Sequence, residues 1–150
     1  MMKNLGILIL VALALSSCVT FKLDEQEVNK VLLLWQRLDP IRLTEITATP
    51  FLLDGEIIAL KEDAKLYWQR LKSSGLKPGQ LYTTEIKPAD ESWTQFFPNT
   101  RQVQLFFKKY VPAKSVIVQI TCEAGLFFFI LNGEKNGYAQ ILGIRGPGHE

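Results

Sequence analysis

Apolar residues recur at helical spacing over the first half of the folded region and shift towards alternation beyond residue 80, so helices should precede strands. Asp24 and Glu27 match a capping box, and Val28, Val31, Leu32, Trp35 and Leu38 follow as one apolar stripe. Asp39-Pro40 stops this helix and caps a short second one through Leu43 and Ile46. Thr49-Pro50-Phe51-Leu52-Leu53 reads as extended chain, Asp54-Gly55 as a tight turn, and Glu56-Ile57-Ile58 as its return. A third helix has Glu62 and Asp63 in its first turn, a stripe of Ala64, Tyr67, Trp68 and Leu71, Lys72 near its end, and Gly75 where a left-handed residue belongs. That stripe places Trp68 between its helix and the sheet. Lys77-Pro78-Gly79 is a turn.

Alternation then predicts strands at 80–86, 102–111, 115–122, 126–131 and 138–144. Residues 90–97 form one helical turn or a loop carrying Trp93, Phe96 and Phe97. The run at 126–131, LFFFIL, is apolar at every position and needs cover on both faces. Residues 132–137 make a longer hairpin loop. No internal repeat or linker divides this body, so the fold class is α+β: N-terminal helices on a mostly antiparallel sheet.

Composition narrows the chemistry. The chain has 150 residues, 17 Lys+Arg against 15 Asp+Glu, and this near balance gives no footprint for a nucleic-acid partner. Its single histidine, His149, stands beside the C-terminus, which excludes His-based metal clusters and interior Ser-His-Asp or Cys-His catalysis. No cofactor and no metal site is expected.

The front of the chain carries an address. Lys3 precedes an apolar run from Leu5 to Leu15 that is too short for a bilayer, which needs about 20 residues, and fits a signal-peptide core. Leu15-Ser16-Ser17-Cys18 resembles a bacterial lipobox. The resemblance implies a signal peptide at 1–17, cleavage before Cys18, a diacylglyceryl and palmitate anchor on Cys18, and a tether completing 18–23. Val19 follows Cys18, and by the same resemblance the destination in a diderm host is the periplasmic side of the outer membrane. With Cys18 acylated, Cys122 is left without a disulfide partner; its strand position makes it a buried, inert thiol.

The order helix, short helix, strand, helix, then long antiparallel strands resembles the NTF2-like fold, a cone in which a curved sheet wraps three helices. The stretch Pro50-Phe51-Leu52-Leu53-Asp54-Gly55-Glu56-Ile57, the Tyr67-Trp68 helix, and the terminal hairpin with Phe127 to Leu131 and Gln140-Ile141-Leu142-Gly143-Ile144 carry the likeness over most of 24–146. The loops at 86–101 are longer than the family's connections. In ketosteroid-isomerase-like members an aspartate near the end of the first strand takes the proton, and Asp54 falls there; Val31 stands where their oxyanion tyrosine would be. The dehydratase-like His-Asp pair is missing. Asp54 is read as a turn residue hydrogen-bonded to its own backbone neighbours, and the aromatic strand positions as core.

The resulting expectation is a membrane-anchored lipoprotein whose domain at 24–150 is non-enzymatic and binds a small apolar ligand or an envelope partner. The alternatives are an isomerase- or dehydratase-like enzyme using Asp54, and a structural module forming a homodimer through its sheet.

Overall fold

A computed structural model describes residues 23–135 and 137–148; residues 1–22, on which the expected signal peptide, Cys18 and most of the tether fall, and His149 lie outside them. The first helix, α1 (Glu25–Arg37), starts as its sequence dictates. The Asp24 carboxylate accepts from the Gln26 amide, and Glu27 reaches back to accept from the Asp24 amide, both at 3.3 Å. Asp39 caps α2 (Pro40–Ile46) by accepting from the Arg42 amide at 3.2 Å, with Pro40 at the first helical position. β1 (Thr47–Leu53) turns through Asp54-Gly55 into the three-residue β2 (Glu56–Ile58), and α3 (Lys61–Ser73) ends before Gly75, whose φ is +77°.

The second half is β3 (Leu81–Pro88), α4 (Ala89–Phe96), α5 (Arg101–Tyr110), β4 (Val116–Cys122), β5 (Gly125–Lys135) and β6 (Tyr138–Gly148). The strands form one open curved sheet in the order β2-β1-β6-β5-β4-β3. Every pairing is antiparallel except β1 with β6. The α+β class therefore stands, with a largely antiparallel sheet.

Two expectations are corrected. Residues 102–111 are not a strand: Thr100 caps a helix there by accepting from the Val103 amide at 3.3 Å. Val103, Leu105 and Phe107 alternate, but Val103, Phe106, Phe107 and Tyr110 also mark a helical face, and the helix buries Val103, Phe106 and Phe107 while leaving Leu105 53% exposed. Residues 132–137 are not a loop either; β5 continues to Lys135 and β6 resumes at Tyr138.

The alternating side chains divide into two cores. On one face, α1, α2 and α3 pack Val31, Trp35, Leu43 and Trp68 against Phe51, Ile120, Phe127, Phe129 and Ile141. On the other, α4 and α5 pack Phe97, Val103 and Phe106 against Leu52, Ile117, Ile130 and Leu142. The run LFFFIL is thus covered on both sides: Phe127, Phe129 and Leu131 face the inner core, Phe128 and Ile130 the outer one. The longer connection noted at 86–101 lies where this second cover is built.

Candidate functional site

Asp54 lies at the β1–β2 corner with φ +51°, a left-handed conformation that Asp tolerates better than most residues. Its side chain is exposed. Its amide donates to the Ile144 carbonyl at 3.0 Å, and its carboxylate Oδ1 accepts from the Gly146 amide at 2.8 Å. The expected bond to its own backbone neighbours is thus replaced by one to β6. The turn role holds, and the partner differs: Asp54 ties the corner of β1 to the end of the neighbouring strand. Gly146 is glycine for a local reason, since its φ is +135° and an added Cβ would sit 2.6 Å from the Leu126 carbonyl oxygen.

Tyr67 stands close enough to feel that carboxylate. Burial lifts its phenol above the ordinary tyrosine range, and the Asp54 charge pushes the same way, so Tyr67 stays protonated. A proton-abstracting carboxylate needs desolvation and a substrate position beside it. Asp54 has water on one side and a strand amide on the other. Val31 is buried in the inner core.

The space inside the helix-covered face is occupied by Trp35, Phe51, Trp68, Phe127 and Phe129, all buried. Trp35 meets the Phe127 and Phe129 rings edge-on at 4.7 and 5.4 Å between centroids. As expected, Trp68 is buried between α3 and the sheet. Its indole N–H donates to Thr47 Oγ1 at 3.0 Å, and that hydroxyl donates to the Leu43 carbonyl at 2.6 Å, joining α3, β1 and α2 through a satisfied buried chain. Trp35 Nε1, by contrast, is buried with no hydrogen-bond partner among the described residues.

Cys122 is half-buried at the end of β4, less enclosed than expected. Its thiol donates to the Gly125 carbonyl at 3.3 Å, and burial raises its pKa, which disfavours the reactive thiolate. Among the described residues no group of three or more His, Cys, Asp or Glu could hold a metal, and no helix is long and apolar enough to cross a membrane.

Open surface concentrates elsewhere. Between α1 and β3 runs a groove of about 550 Å³ in which Val28, Leu32, Leu33, Leu81 and Ile86 alternate with the polar Glu25, Asn29, Gln36, Gln80 and Thr83. It meets a second hollow of about 530 Å³, lined by Leu23, Ile86, Pro88 and Val116, with Glu25 and Ile86 common to both. Sequence reasoning passed over this groove. The available signal was Val31-Leu32-Leu33-Leu34-Trp35, more consecutive apolar residues than one helical stripe uses; Leu33 falls off the stripe and is 51% exposed. A more polar hollow of about 440 Å³ lies among Thr49, Lys61, Tyr110, Asn132 and Gln140.

No protein-family model matches the chain, and neither a curated protein nor a solved structure does.

Proposed function

We propose that the protein is a lipid-anchored, non-catalytic binding module of the cell envelope, held to the membrane through Cys18 and built on an NTF2-like cone. The strand order, with α1 to α3 on one face and β1 parallel to β6, supports the cone reading. The observation that carries the functional reading is the filled interior: Trp35, Phe51, Trp68, Phe127 and Phe129 occupy the volume where a cone-shaped enzyme would hold substrate. Binding therefore belongs on the outside of the domain. The enzyme alternative loses ground at the same place, because Asp54 is exposed and its Oδ1 is engaged by Gly146. The sheet-mediated homodimer fares no better, since α4 and α5 cover the face it would use.

The anchor is tested in cells. Globomycin should accumulate an uncleaved precursor, and Cys18→Ser should abolish incorporation of labelled palmitate. Palmitate still incorporated by Cys18→Ser would end the lipobox reading.

A further inference from the structure

Three hollows join end to end along the seam between α1 and β3. One of about 460 Å³, at the C-terminal ends of α1 and α3, shares Gln36 with the groove, and the groove shares Glu25 and Ile86 with the hollow beside Leu23. α1 runs antiparallel to β3: Gln36 Nε2 donates to the Gly79 carbonyl at 2.6 Å at one end, and Leu23 shares a hollow with Pro88 at the other. The two ends of the seam differ in charge. At the first stand Arg37, Lys72 and Lys77, exposed and without an ion pair among the described residues, against one carboxylate, Glu123, which lies over Gly79. At the second stand Asp24 and Glu25, while Lys87 is already held by Glu85 at 2.8 Å and by Gln95 at 3.0 Å. Between them lie Leu33, Tyr82 and Ile86, three of the eight large apolar side chains exposed among the described residues. Helix dipoles account for acids at the start of α1 and for Arg37 and Lys72 at helix ends. They account neither for Lys77 nor for the apolar centre.

We propose that this seam binds the same seam of a second copy of the chain, turned antiparallel about a two-fold axis near Asn29 and Leu33. A strip that is basic at one end, acidic at the other and apolar between is complementary to itself once reversed. Rotation sets Asp24 and Glu25 opposite the partner's Arg37, Lys72 and Lys77, and the symmetry repeats that match at the other end. Leu33, Tyr82 and Ile86 then form the dry centre, and the interleaved polar residues form the rim. Size agrees as well. The three hollows draw on two dozen residues, and a stable interface uses about 20–30 residues on each side. This surface is not the sheet face that α4 and α5 cover. An extended peptide added to β3 is the rival occupant. It would need a regular ladder edge, and the β3 register shifts between Thr83 and Glu85, with Pro88 removing a further donor.

The test mixes isotopically labelled and unlabelled full-length protein in mild detergent and applies a zero-length carbodiimide crosslinker. Within one copy the length of α1, about 18 Å at the helical rise, separates Glu25 from the basic end. A Glu25–Lys72 or Glu25–Lys77 link therefore forms between copies, and its two peptides should carry mixed labels. Glu25→Arg and Arg37→Glu should each weaken dimerisation about tenfold in sedimentation, because one exposed ion pair changes affinity by at most about fivefold and the axis counts it twice. Mixing the two variants should restore wild-type affinity, since each supplies the charge that the other lacks. Leu33→Asp should dissociate the dimer, and Leu105→Asp, equally exposed but outside the seam, should not. Should Leu33→Asp lower the melting temperature, the charge variants at exposed Glu25 and Arg37 decide. A protein that stays monomeric at its highest soluble concentration overturns the proposal. So does a dimer without these links, or one in which mixing the charge variants restores nothing. The pairing needs no acylation of Cys18, so the palmitate result and the crosslinking result stand or fall separately.

Discussion

The two cores on either side of the sheet are built differently. The inner one is made by three helices whose ends carry sequence-coded start or stop signals, and its two tryptophans pack on β5 and β1. The outer one is made by α4 and α5, short helices lying between β3 and β4, packed through phenylalanines. Trp93 stacks on Phe107 at 4.8 Å, and Phe97 meets the same ring at 5.6 Å. Arg145 fastens this layer to β6 by donating to the Phe96 carbonyl while its guanidinium lies over Phe128. The inner core is a property of the whole chain, and the outer core of one connection. The single connection from β3 to β4 thus carries the helices that cover this face of the sheet.

The largest expected effects test whether both cores are equally real. Trp68→Ala and Phe106→Ala should each cost about 3–5 kcal/mol in urea or guanidinium unfolding, the usual range for a large aromatic removed from a core. A Phe106→Ala cost below about 1 kcal/mol would mean that α5 only rests on the sheet. The next effect separates the two tryptophans. Trp68→Phe severs a hydrogen bond to Thr47, whereas Trp35→Phe removes an unpaired buried donor, whose desolvation costs about 1–3 kcal/mol. Trp35→Phe should therefore be the milder change by about 1–2 kcal/mol. Equal costs would mean that Trp35 has a partner such as a buried water.

Smaller changes probe the boundaries. Leu105→Lys should leave stability within about 0.5 kcal/mol, because the helix turns Leu105 outwards. A loss of 2 kcal/mol or more, the usual size for a core leucine, would restore the strand reading of 102–111. Asp54→Asn should also stay within about 0.5 kcal/mol, because Asn keeps both an acceptor for Gly146 and a tolerance of positive φ. A measurable turnover lost in that variant would promote the enzyme reading.

This contrast also explains what could be read from the sequence. The inner core was legible because its signals are local: Asp24 with Glu27, Asp39 before Pro40, Asp54-Gly55, and a stripe with Trp68 at its centre. Residues 101–110 misled because Arg-Gln-Val-Gln-Leu-Phe-Phe satisfies both periods, and only contact with Leu52, Ile117 and Ile130 decides between them. Within the site, the conformation of Asp54 followed from its neighbour Gly55, but its partner Gly146 lies 92 residues away and has no local trace. The groove was hidden for the same reason, since Leu33 and Ile86 meet only after the sheet has curved.

The position of β6 has a consequence for the order in which the sheet can assemble. The last of the six described strands in chain order lies between β1 and β5, so β1 has no neighbour on that side until residues 138–148 arrive. Pairing of Leu53 with Ile144 spans most of the sequence, and such long closures are late and slow in folding. A nascent chain bearing only its N-terminal half exposes Trp35, Phe51 and Trp68 without the sheet that buries them. The topology itself ties completion of the sheet to the arrival of residues 138–148.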